Sequence, residues 1–132
     1  MPETQNTLAL LREDLSTVLE AAGVRTHGFL PERIVPPLAL LAAGSPYVEA
    51  GDTYGSYTVR FTVVLVASQA TNQVATTELD EAVTAALVAL DNGNWAIERV
   101  DQPTMMQSSN THYLSTTIDV LRKVTGMDDG RP

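Results

Sequence analysis

The two histidines, His27 and His112, are the side chains best suited to acid–base or metal chemistry near neutral pH, and they lie 85 positions apart. Neither has a second histidine at ligand spacing. The chain has no cysteine, which removes thiolate metal sites, cysteine nucleophiles and disulfides together. Ser45 follows Gly44, but the Gly-x-Ser-x-Gly turn that exposes a serine nucleophile is absent, so Ser45 reads as a turn residue before Pro46. Carboxylates are plentiful without forming a pair. Asp80 and Glu81 fit the first turn of a helix, where acids favour the positive end of its dipole, and Asp128 and Asp129 fall near the C-terminus. Glu98 and Asp101 flank a strand end. Gly51 and Gly55 bracket Asp52-Thr53-Tyr54, yet no Gly-Lys-Ser/Thr follows, and the segment lacks the alternating oxygen ligands of a calcium loop. No catalytic, cofactor-binding or metal-ligating residue is therefore expected.

Other residues are better suited to contact than to chemistry. Tyr47, Tyr54 and Tyr57 surround one glycine-rich loop, and tyrosine combines a large apolar area with a polar tip. Met105 and Met106 are adjacent in a polar stretch, where two neighbouring flexible side chains do not both turn inward easily. These five are the candidate subunit-interface residues, weighed against a plain role in closing the protein's own core. Trp95 follows a helix stop and is assigned to the core.

The elements that must position these residues follow from composition and periodicity. With 44% hydrophobic and 18% charged residues, the chain has a globular rather than a disordered composition. Its length fits one domain, expected over residues 1–125, with a polar tail at 126–132 that frays. Sixteen acids against eight bases give a formal charge of −8, with the bases scattered apart from Arg122 and Lys123. Gripping a phosphate backbone requires clustered cations, so tight nucleic-acid binding is not expected. No apolar run approaches the ~20 residues of a membrane-spanning helix, and the N-terminus lacks a basic start with an apolar run. A soluble cytoplasmic product with no membrane partner is expected.

Leu8, Leu11, Leu15, Val18, Leu19 and Ala22 recur at helical spacing, and Gly23 stands where a left-handed cap ends a helix. An extended piece at 25–30 leads into a proline-punctuated turn at 31–37, and then the uncharged run Leu38–Ala43 reads as a buried strand. Residues 44–55 read as a loop. From Ser56 to Ser68, Tyr57, Val59, Phe61, Val63 and Leu65 alternate with Thr58, Arg60, Thr62, Val64 and Val66. The second half of this strand is apolar on both faces and is expected at the sheet centre. A second helix is expected from an N-cap at Thr77, with Leu79, Val83, Ala86, Leu87 and Leu90 as its stripe and Asn92-Gly93 as its stop. Strands at 95–100 and 113–123 enclose a long loop at 101–112. This order predicts an α+β domain: one mixed, largely antiparallel sheet of four to five strands, with two helices packed on one face.

Three segments in order carry a likeness to a known family: Pro31-Glu32-Arg33-Ile34-Val35-Pro36-Pro37, then Gly44-Ser45-Pro46-Tyr47, then Gly51-Asp52-Thr53-Tyr54-Gly55-Ser56. With Val59–Ala67, Thr71-Asn72 leading to Leu79-Asp80, and Trp95–Val100, this pattern resembles the tail terminator proteins of long-tailed (siphovirus-type) bacteriophages, such as those of actinobacterial phages. The likeness runs from the first helix to about Val120 and rests on order and spacing rather than on one diagnostic motif. It implies a small α+β subunit of a six-fold ring in the tail-neck region of the virion. Such a ring caps the tail tube protein, ends tube polymerisation and meets the head-completion proteins, while DNA passes through its channel. It implies no catalytic residue and no cofactor. Another head–tail connector subunit, for head closure or tail completion, and a small-ligand binding domain are the alternatives.

Overall fold

In the computed structural model, residues 6–27, 37–67, 72–108 and 111–130 are described. Helix α1 (Thr7–Ala21) starts at Asn6, whose side chain accepts a 2.8 Å hydrogen bond from the Ala9 amide. Its periodic face buries Leu11, Leu15 and Leu19. Gly23 ends it with φ +85°, and the Gly23 and Val24 amides return to the Glu20 and Leu19 carbonyls, the paired closure that satisfies a helix C-terminus. The expected cap is in place.

Strand β1 (Thr26–His27) runs parallel to β2 (Leu38–Ala50). The proline-punctuated turn lies, apart from Pro37, outside the described residues. β2 pairs antiparallel with β3 (Ser56–Val66), which pairs antiparallel with β6 (Thr111–Thr125). On its far side β6 takes two partners in succession, β5 (Thr104–Ser108) and β4 (Ala96–Val100). Among the described residues the sheet has six strands in the order β1-β2-β3-β6-β4, with β5 beside β6. The α+β class, the mixed and largely antiparallel sheet and the packing of the helices against it are as the sequence predicts. Six strands replace the expected four to five.

Three boundaries differ for physical reasons. The expected loop at 44–55 is strand as far as Ala50, because the chain resumes pairing at Val48 opposite Val59 after Gly44–Tyr47 loop out opposite Arg60. The expected loop at 101–112 contains β5, whose polar residues follow no apolar alternation and are held by register with β6. Helix α2 (Asn72–Asn92) begins five residues before Thr77, so Thr77 is inside the helix rather than its cap. Its stop uses Asn94 at φ +66° as the left-handed residue, with the Trp95 amide on the Leu90 carbonyl at 3.0 Å. Gly93 serves packing instead. A Cβ there would stand 2.8 Å from Val18 Cγ2 of α1.

Core packing follows strand parity. Ala39, Leu41, Val59, Phe61, Val63, Leu65, Ile118 and Val120 turn to one face and meet Leu11, Leu15, Leu19, Leu79, Ala86 and Leu90 of the helices. Trp95 is buried at the end of this core with its ring edge-on to Phe61, as expected of a core residue. Leu38, Leu40 and Val66 turn to the opposite face and form a second cluster with Val64, Met106 and Tyr113. The second half of β3 thus lies centrally, with apolar contacts on both sides. The start of the tail expected to fray, residues 126–128, is held by hydrogen bonds to Gly55 and Thr7. The Gly126 amide donates to the Gly55 carbonyl, the Thr7 amide to the Asp128 carbonyl, and the Asp128 amide to Thr7 Oγ1.

Candidate functional site

The five candidate interface residues separate into core and surface. Tyr47 belongs to the core: its ring stands edge-on to Phe61 at 5.7 Å, and its hydroxyl accepts a 3.1 Å hydrogen bond from Arg12 Nη2. Tyr54 is fully exposed, at 108% of the reference area, at the tip of the β2–β3 turn. Tyr57 is half-buried on β3, opposite Ala50 and Val124. The turn beneath Tyr54 is rigid in its own hydrogen bonds: Ser56 Oγ donates to the Thr53 carbonyl, and the Gly51 amide donates to the Ser56 carbonyl. Gly55 closes it at φ +82°, a left-handed conformation that glycine adopts without cost.

Met105 and Met106 alternate across the β5–β6 hairpin. Met106 turns into the cluster with Leu38, Leu40 and Val66, whereas Met105 is 61% exposed. β3 ends its pairing with β6 at Ser115, and the Ala67 amide still donates to the Leu114 carbonyl, so the hairpin runs on beyond the end of β3 from Met105 on β5 and Tyr113 on β6. Tyr54 and Met105 therefore mark opposite ends of the sheet, separated by the eleven residues of β3, roughly 35 Å at ~3.3 Å per residue. The structure does not bring the tyrosines and methionines into one patch.

Two further features escape sequence reading. The first is an ion-paired recess of about 520 Å³ on the sheet face opposite the helices. Arg60 binds Glu49 and Glu98, each at 3.0 Å, and Arg99 binds Asp119 at 2.9 Å and Asp101 at 3.3 Å. Thr62 donates to Asp119, and Thr117 donates to Asp101. Two bulges build this arrangement. Residue 98 is extra between the Ile97–Val120 and Arg99–Asp119 pairs, so Glu98 and Arg99 reach partners on the same face. On the other side Gly44 lies against Arg60, where a Cβ would stand 2.6 Å from the Arg60 Cβ. The hydrogen bond from Arg60 to Glu49 raises the arginine further above its usual range, against partial burial and with help from the Glu98 charge. Asp119, followed by Asp101, does the same for Arg99. Three carboxylates in the recess, Glu98, Asp101 and Asp119, face two guanidinium groups, which leaves it net negative, and Glu49 pairs with Arg60 from beside it. The polar face of β3 at Thr58, Arg60 and Thr62 was the available signal, but the partners arrive from strands remote in sequence.

The second feature is an apolar groove of about 920 Å³ along the outside of the helix pair. Val18, Ala21 and Ala22 of α1 and Ala85, Val88 and Ala89 of α2 line it, with Asp80 and Glu81 at its rim. Val88 is 57% exposed. His27 lies on the edge strand β1 and His112 on β6 within the β5–β6 hairpin, with β2 and β3 between the two strands in the sheet order. Among the described residues, no group of three His, Asp or Glu side chains is placed to hold a metal ion, and no helix is long and apolar enough to cross a membrane. No family model and no curated protein matches this chain.

Proposed function

We propose that this chain is a ring-forming structural subunit of a long-tailed phage particle: a tail terminator that caps the tail tube, ends its polymerisation and joins the tail to the head-completion proteins. The observation that carries this reading is the presence of two unlike exposed apolar features, Met105 on the β5–β6 hairpin and the groove along the outside of the helix pair. A closed ring of identical subunits joins them head to tail, and each subunit must then present two different surfaces. The resemblance in segment order supplies the particular particle. Six such subunits carry a formal charge of about −48, and a field of that sign keeps DNA passing through the channel from adhering. The sheet face with Glu49, Glu98, Asp101 and Asp119, whose four carboxylates outnumber the cations Arg60, Arg99 and Lys123 beside them by one, is the best-suited surface for the channel wall.

The test is mass determination of the purified protein alone and with isolated tail tubes. Ring-sized assemblies, or stoichiometric capping of tubes, are expected. A strict monomer that never binds tubes refutes the terminator reading.

A small-ligand binding domain is the second reading, favoured by the ion-paired recess. Its net negative lining selects a cationic ligand, and calorimetry with a polyamine such as spermidine is the direct check. No saturable heat retires it.

A further inference from the structure

We infer that the helix-pair groove is the receiving half of the subunit contact, and that it takes the β5–β6 hairpin of a second copy of this chain, with Met105 as the inserted side chain. The inference rests on the ring reading and names the two surfaces that ring requires.

The groove and the hairpin are compatible in side-chain size and in charge. The groove is lined by the small side chains Ala21, Ala22, Ala85 and Ala89 together with Val18 and Val88. Small residues let another chain approach closely, and a thioether on three rotatable bonds fits an irregular apolar channel better than a branched side chain does. The hairpin projects past the last β3–β6 pair, and Met105 stands out from it beside Leu114 without entering either core cluster. Burying one methionine in such a groove is worth roughly as much as burying any large aliphatic side chain.

Charge decides which surface enters. The groove rim carries Asp80 and Glu81 and has no cation among its lining residues. In a chain of sixteen acids and eight bases, most surfaces would be repelled by that rim. The stretch from Gln102 to Ile118 has no carboxylate, and exposed His112 is its one basic residue. The hairpin can therefore lie against the acidic rim without like-charge cost. Groove and hairpin are different surfaces, so the contact is heterologous and propagates from one subunit to the next.

The absence of cysteine makes the contact measurable by cross-linking. Chains carrying Met105→Cys and chains carrying Val88→Cys are mixed under mild oxidation, at a concentration at which the wild type assembles or on tail tubes. A mixed 105–88 disulfide is expected at several-fold higher yield than from a Tyr54→Cys and Val88→Cys pair, and the Met105→Cys/Val88→Cys double variant is expected to give a ladder of multimers. All three positions are exposed, so circular dichroism and the melting midpoint should match the wild type. A 105–88 yield no greater than the 54–88 control overturns the inference, as does preferential 105–105 linkage. The wild-type mass then separates the two failures. Wild-type rings without 105–88 linkage reject only this contact, whereas a wild type that neither assembles nor caps tubes rejects the ring as well.

Discussion

Asp14 holds two partners that meet only in the folded chain. Its Oδ2 accepts from Trp95 Nε1 at 3.1 Å and pairs with Arg122 Nη1 at 3.0 Å, while the Arg122 guanidinium lies 4.1 Å over the Trp95 ring and donates to the Gly93 carbonyl. One carboxylate thereby joins α1, the end of α2 and β6. Asp14→Ala is expected to destabilise the fold by about 1.5–3 kcal/mol in urea titration, because it strands a half-buried guanidinium and an indole N–H. Asp14→Asn keeps one acceptor and should lose less. Arg12 poses a complementary case: its Nε is buried without a partner among the described residues, and Tyr47 supplies the hydroxyl that its Nη2 reaches. Tyr47→Phe should cost about 1 kcal/mol and leave assembly unchanged. Tyr54→Ser should do the reverse, within ~0.5 kcal/mol of wild type in stability but weaker in any contact made by the β2–β3 turn.

At the scale of elements, the two bulges on either side of Arg60 set the polar face of the sheet. The β2 bulge admits Gly44 against Arg60, and any Cβ at that position collides with backbone and Cβ atoms rather than with a flexible side-chain end. Gly44→Ala is expected to cost about 1–3 kcal/mol and to disturb the Arg60–Glu49 pair, readable as a lower unfolding midpoint. The exposed Arg99 pairs contribute little by themselves. The C-terminal tail works at this scale too. Ending the chain after Thr125 removes the Gly126–Gly55 and Asp128–Thr7 hydrogen bonds and should lower stability by about 1–3 kcal/mol, with earlier amide exchange at the start of α1.

For the whole molecule, one layer of helices and one sheet leave three surfaces unlike one another: an apolar helix groove with acidic side chains in its lining, a carboxylate-free hairpin, and an ion-paired polar sheet face. A single-chain binding protein needs only one of these. A subunit placed in a ring around DNA has a use for all three, two for its neighbours and one for the channel. Because the contact proposed between hairpin and groove is largely apolar, assembly should survive raised salt. If the ring instead dissolves between ~50 and ~500 mM salt, charge pairs hold it and the apolar groove does not.

Local patterns in the sequence determined α1 with its Gly23 cap, the alternation of β3, the core stripe of α2 and the core position of Trp95. Each of these depends on neighbours within a turn or a pleat, where periodicity and propensity act directly. The absence of cysteine and the acidic balance were likewise present in composition alone. What only the tertiary structure decided involves residues far apart in the chain. β5 exists because β6 offers it a register, and the strand half of the 44–55 segment exists because pairing resumes beyond the bulge. Glu98 acquires a partner because of a bulge, and Tyr47 becomes a core residue because Phe61 and Arg12 converge on it. Met105 and Met106 are identical neighbours in sequence. Strand alternation buries one and leaves the other facing outward, free for a contact with another chain.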